Sequence, residues 1–123
     1  MSIPGIVWVA LGSALGGSLR YALSSLLNGP VGFPWGTWGV NILGSFAIGL
    51  ISGGLARVSG DLAAIVRSFA VIGLCGGFTT FSTFSNETLR MLENGQWWFG
   101  VFYVIGTVSF GLLAVCLGYA LTR

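Results

Sequence analysis

The sequence predicts an all-α membrane protein of four transmembrane helices, the third broken at the midplane. Three observations carry that expectation. Of the 123 residues 54% are apolar and 7% charged, with no histidine and, since every basic residue is arginine, no lysine; a water-facing globule of this size needs more polar surface. The apolar residues fall into four stretches separated by short breakers, and a spanning helix needs about 20 of them, so four spans use almost the whole chain as a single membrane domain. The third stretch carries adjacent glycines, Gly76 and Gly77, at its centre.

The first span runs from about Ile3 to Leu27 and stops at the breaker cluster Asn28-Gly29-Pro30, with Gly32 and Pro34 beyond. Its apolar stretch from Ile3 to Leu19 lacks a basic start and exceeds a signal h-region of about 7–15 residues, so it reads as a mature helix. The second span runs from about Trp35 to Leu55. The third begins after Asp61, read as an N-cap, and covers Leu62 to Leu92 with the break at 75–80; Gly95 separates it from the fourth, Trp97 to Leu121. Trp8, Trp35, Trp38, Trp97 and Trp98 sit near span ends, as interfacial tryptophans do. Cys75 and Cys116, inside spans and without metal-ligand spacing, read as small buried side chains.

A net charge of +2, without a basic run, argues against a nucleic-acid partner or a lipid-headgroup cluster. Four spans put Arg57, Arg67 and Arg123 on one side of the bilayer and Arg90, with Arg20 if it snorkels, on the other. An excess of one arginine barely biases orientation. The expectation is insertion in both orientations and pairing of two copies as an antiparallel, dual-topology homodimer with a two-fold interface.

Small residues recur every four positions: Gly12 and Gly16 in the first span, and Thr37, Asn41, Ser45, Gly49 and Gly53 in the second. Such stripes let helices approach closely in lipid. Asn41 asks for more, because a carboxamide inside a span needs partners or water.

Cys75-Gly76-Gly77-Phe78-Thr79-Thr80 is poor helix material, and flanks of 13 and 12 residues place it near the midplane. A break has two unlike ends. Unpaired carbonyls of the first half-helix suit a desolvated cation, and unpaired N–H groups of the second suit an anion. Physics alone also allows a Gly-Gly kink that only helps the bundle pack. Beyond the break, Phe81 and Phe84 share a helix face, interleaved with Ser82, Thr83 and Ser85. Two such rings often mean core packing, yet ring edges carry partial positive charge and can contact a small anion without trapping it.

Leu15-Gly16-Gly17-Ser18-Leu19-Arg20-Tyr21, Gly36-Thr37-Trp38-Gly39-Val40-Asn41 and, most specifically, Gly76-Gly77-Phe78-Thr79-Thr80-Phe81-Ser82-Thr83-Phe84-Ser85 resemble the Fluc (CrcB) family of fluoride channels over most of the chain. The resemblance implies a passive, fluoride-selective channel in the plasma or inner membrane that exports fluoride from the cytoplasm. It implies two antiparallel pores in a homodimer, with a structural sodium ion buried at the interface. Phe81 and Phe84 would line the pore, Asn41 would donate its amide to dehydrated fluoride, and Arg20 would stand near the pore entrance or, equally, snorkel from a helix end. Backbone carbonyls of Gly76 and Thr79 would hold the sodium. The family's polar track in the fourth span recurs every four residues; here Tyr103 and Thr107 supply it, but Gly111 and Val115 follow, leaving Ser82, Thr83 or water to meet fluoride there.

A small multidrug exporter would share the span count and dual topology but needs a carboxylate in its first span, and there is none. Glu87 is the only acid within a span. With no histidine, and with Asp61, Glu87 and Glu93 unpaired in the spans, an enzyme is not expected.

Overall fold

The computed structural model describes residues 1–30 and 32–123. Three helices are uninterrupted: α1 (Ile3–Leu27), α2 (Trp35–Leu55) and α6 (Trp97–Thr122). Between α2 and α6 lies a composite helix of α3 (Asp61–Val66), a π-helical stretch (Arg67–Cys75), α4 (Gly76–Phe78) and α5 (Phe81–Glu93). Four segments, Ile3–Leu27, Trp35–Leu55, Asp61–Glu93 and Trp97–Thr122, are long and apolar enough to cross a bilayer.

Local chemistry explains the ends. Ser2 caps α1, its hydroxyl accepting from the Gly5 N–H at 3.1 Å. Asp61, expected as an N-cap, is instead the first residue of α3; Gly60, at φ 94°, occupies the cap, leaving the carboxylate in the first turn, where negative charge suits the helix dipole. α5 closes in a Schellman motif, with Gly95 at φ 76° and bonds from Gly95 N to Leu92 O (3.1 Å) and Gln96 N to Met91 O (2.7 Å).

Glycine seams assemble the bundle. Where α1 crosses the third span, a Cβ on Gly12 would strike the Phe69 carbonyl and one on Gly16 the Leu74 carbonyl, so these backbones touch. Along this seam i→i+5 bonding, which ordinarily lasts a single turn, extends over nine residues. The α2–α6 seam repeats the device: Gly49 faces the Val115 carbonyl and Gly118 the Phe46 carbonyl, while Thr122 Oγ1 donates 2.7 Å to Leu50 O.

Two further expectations need correcting. Cys75 is buried, but Cys116 is exposed on the outer face of α6. Helical backbone also continues through Cys75, Gly76, Gly77 and Phe78; only Thr79 (φ −82°, ψ 155°) and Thr80 (φ −148°, ψ 119°) are extended. The glycine pair stays helical because Gly77 packs on α1, where a Cβ would lie 2.8 Å from Ser13 O.

Candidate functional site

The extended step is held by one side chain. Asn41 Oδ1 accepts from Thr80 N at 2.7 Å while its Nδ2 donates to Thr80 O at 3.2 Å, so the carboxamide pairs with both backbone groups that the helix leaves unpaired. The Thr80 hydroxyl in turn accepts from Thr83 N at 3.2 Å, capping α5. A carboxamide nitrogen carries two hydrogens. Thr80 O takes one, leaving the other for a further acceptor.

Beside this pair lies a cleft of about 240 Å³ lined by Asn41, Ser45, Thr79, Thr80, Phe81, Phe84, Thr107 and Val108. Thr107 Oγ1 is, among the described residues, a buried side-chain oxygen without a hydrogen-bond partner. Such a group costs about 1–3 kcal/mol unless something visits it. Phe81 and Phe84 lie with ring centroids 5.8 Å apart at 50°. Phe84 is 8% exposed and Phe81 78% exposed, so one ring is built into the protomer and the other stands free of it.

Phe84 also packs on Tyr103, centroids 5.0 Å apart, leading to a second polar cluster. Tyr103 OH donates to Glu87 Oε2 at 3.2 Å and Thr37 Oγ1 to Glu87 Oε1 at 2.7 Å. Asn28 Nδ2 donates to Thr37 Oγ1 at 3.1 Å. Glu87 and Asn28 border an open cleft of about 450 Å³ that also takes in Arg90, Met91, Asn94 and Gln96.

On the carbonyl side, Arg20 Nε donates to Gly77 O at 3.1 Å, and Cys75 O accepts from both Thr79 N (2.9 Å) and Thr79 Oγ1 (3.1 Å). With Thr80 O bound by Asn41, the carbonyls of Gly76 and Thr79 are left without a side-chain donor among the described residues. Gly76 is exposed, and a Cβ placed on it would lie 3.7 Å from Val71 O, with no other described atom within 4 Å. Among the described residues no cluster of His, Cys, Asp or Glu could hold a metal. Neutral oxygens on an exposed Gly76 and a half-buried Thr79 fit a share in a hard monovalent cation.

The structure thus brings together Asn41, Thr79, Phe81, Phe84 and Thr107. Tyr103 lies behind Phe84, and Arg20 binds the carbonyl end of the first half-helix rather than lining the open cleft. Ser82 is exposed, and neither it nor Thr83 lines the narrow cleft. Ser45 does, at the level of Gly111, where a Cβ would stand 3.7 Å from Ser45 Oγ. The hydroxyl missing from α6 there is supplied by α2. In the sequence Ser45 and Thr37 read as packing residues and Asn28 as a breaker; polar members of a small-residue stripe are the available signal.

These features define a polytopic helical membrane protein whose interrupted span presents aromatic rings and unpartnered polar groups to a cleft. Residues 7–119 match the family described as CrcB-like protein, Camphor Resistance (CrcB). The chain is 46% identical over 115 residues to a protein of Thermus thermophilus named fluoride-specific ion channel FluC, covering 92% of this chain and 90% of that one. A protein of the same name from Paramagnetospirillum magneticum is 47% identical over 115 residues, covering 90% and 89%. The chain belongs to the CrcB-like family, whose relatives here are named as ion channels rather than enzymes.

Proposed function

We propose that the protein is a passive, fluoride-selective channel of the plasma or inner membrane that exports fluoride from the cytoplasm. The observation that carries this reading is the cleft where the spare N–H of Asn41, the Phe81 and Phe84 rings and the orphan Thr107 hydroxyl converge without a fixed cation. Weak donors suit a desolvated anion that must also leave. A negative interior drives an anion outward by about 2.3 kcal/mol per 100 mV, so no coupled carrier cycle is required.

The working unit in this reading is an antiparallel, dual-topology homodimer. Phe81, 78% exposed on one protomer, is the ring a second copy would enclose. The free carbonyls of Gly76 and Thr79, doubled by a two-fold axis, would hold a structural sodium ion, which supplies fixed positive charge at the interface. Arg20 steadies this region by binding Gly77 O. Fluoride passes Asn41, Phe81 and Phe84, then meets Thr107 and Ser45.

Fluoride efflux from proteoliposomes under a potassium–valinomycin clamp tests the proposal. Efflux is expected from the wild type and is abolished, with assembly intact, by Phe81→Ile with Phe84→Ile. Wild-type vesicles that release no fluoride would overturn it.

A further inference from the structure

We propose that Asn28 is a positioning residue for anion passage: its carboxamide directs the hydrogen-bond chain that ties the Glu87 carboxylate to the wall of the open cleft. This role rests on the channel reading above.

The direction of the chain follows from donor and acceptor inventory. Asn28 Oδ1 accepts from two backbone groups, Gly36 N at 2.7 Å and Thr37 N at 3.2 Å, which settles which end of the amide is oxygen. Its Nδ2 therefore faces Thr37 Oγ1, at 3.1 Å, and can only donate. The Thr37 hydroxyl, with a lone pair occupied by that donor, sends its one proton to Glu87 Oε1 at 2.7 Å. Tyr103 OH secures the other oxygen at 3.2 Å. Thr37 and Tyr103 are both 0% exposed, so neither hydroxyl has water as an alternative partner.

Glu87 is the acid among the residues bordering the 450 Å³ cleft, and Arg90, three residues on, is the base. A carboxylate released from its hydroxyls could swing along the helix face toward Arg90. Tyr103, packed on Phe84, joins the open cleft to the narrow one, and in this proposal the open cleft is the anion's approach with Arg90 as its attracting charge. The carboxylate's swing would cancel that charge and set a negative group in the way. Holding Glu87 by donors from α2 and α6 keeps Arg90 available, and Asn28 sets the α2 donor.

The experiment is fluoride efflux from phosphatidylethanolamine–phosphatidylglycerol vesicles carrying N28S or T37V, each on the wild-type and E87Q backgrounds. N28S keeps an oxygen for the α2 N–H groups but loses the amide donor; T37V keeps the cap and loses the hydroxyl. Each is expected to slow efflux about tenfold, the effect of one buried group left without its partner. The double variant N28S/T37V is expected to be no slower than T37V, and on E87Q each change should cost less than about twofold, because no carboxylate needs tethering. Wild-type efflux from N28S, or an equal loss on both backgrounds, overturns the proposal in favour of a plain helix cap. If N28S does not elute as the wild-type assembly, T37V carries the same comparison. A silent wild type instead overturns the channel reading, and this role with it.

Discussion

Upstream of Thr79 the third span is held to α1 by backbone contact, with Gly73 and Gly77 lying against Val9 O and Ser13 O, both 2.8 Å from a would-be Cβ. Downstream, α5 is held by side chains: Asn41 on Thr80, Thr37 and Tyr103 on Glu87, and the Phe84–Tyr103 ring contact. The first half's seam face has no room for an added atom at Gly73 or Gly77, while its open side carries Gly76. The second trades close packing for directional donors. The interruption therefore joins a dry frame to a polar half, with Asn41 as the joint. Polar groups at that depth persist only where protein or an ion satisfies them.

Crowding the frame should have the largest effect. Gly16→Ala puts a methyl into the Leu74 carbonyl and Phe78 N, backbone atoms that cannot rotate away. It should cost about 3 kcal/mol, the upper end for overpacking, and abolish a monodisperse peak in size-exclusion chromatography. Gly39→Ala, where nothing among the described residues lies within 4 Å, should leave that peak intact and raise the melting temperature slightly. Equal behaviour of the two would show that the seam is not rigid.

Next in size is the joint. Asn41→Ala strands the N–H and C=O of Thr80, each costing about 1–3 kcal/mol, and should lower fluoride efflux about 100-fold while the protein still extracts folded. A melting curve and efflux that both stay at wild type would remove Asn41 from both roles.

Smaller effects separate stability from passage. Thr107→Val deletes a hydroxyl without a partner, so stability should hold or rise by up to about 1 kcal/mol while efflux falls about tenfold. A stability loss without an efflux change would instead mark Thr107 as a packing residue. Smallest is Ser45→Ala, expected to slow efflux about threefold, with Gly111→Ser added in the same chain restoring it, since the new side chain would project to the vacated place. Failure of that restoration would dissociate Ser45 from the α6 track.

Much of this was legible in the residues. Spans could be read because about 20 apolar residues are what a bilayer demands, and the Phe81–Phe84 face because three positions return a helix to one side. The extent of the interruption was not, since Gly76 and Gly77 read as helix breakers yet both are helical, with Gly77 packed against α1. Asn41 was legible as a polar side chain in need of partners; that its partner is Thr80, 39 positions on, was not. Nor could Glu87 be joined to Thr37 and Tyr103, which lie 50 and 16 residues away.

Membrane residence, the four spans and the kinds of group at the third one were set in the residue order alone, because hydropathy, helical period and side-chain chemistry are local properties. Which of those groups are already satisfied emerged only from the packed bundle. Packing gave Arg20 to Gly77, one hydrogen of Asn41 to Thr80 and both oxygens of Glu87 to hydroxyls, and left Thr107, Phe81 and the Gly76 and Thr79 carbonyls open. A hydrogen bond between spans depends on where two helices meet, and the glycine seams set that meeting at atomic contact.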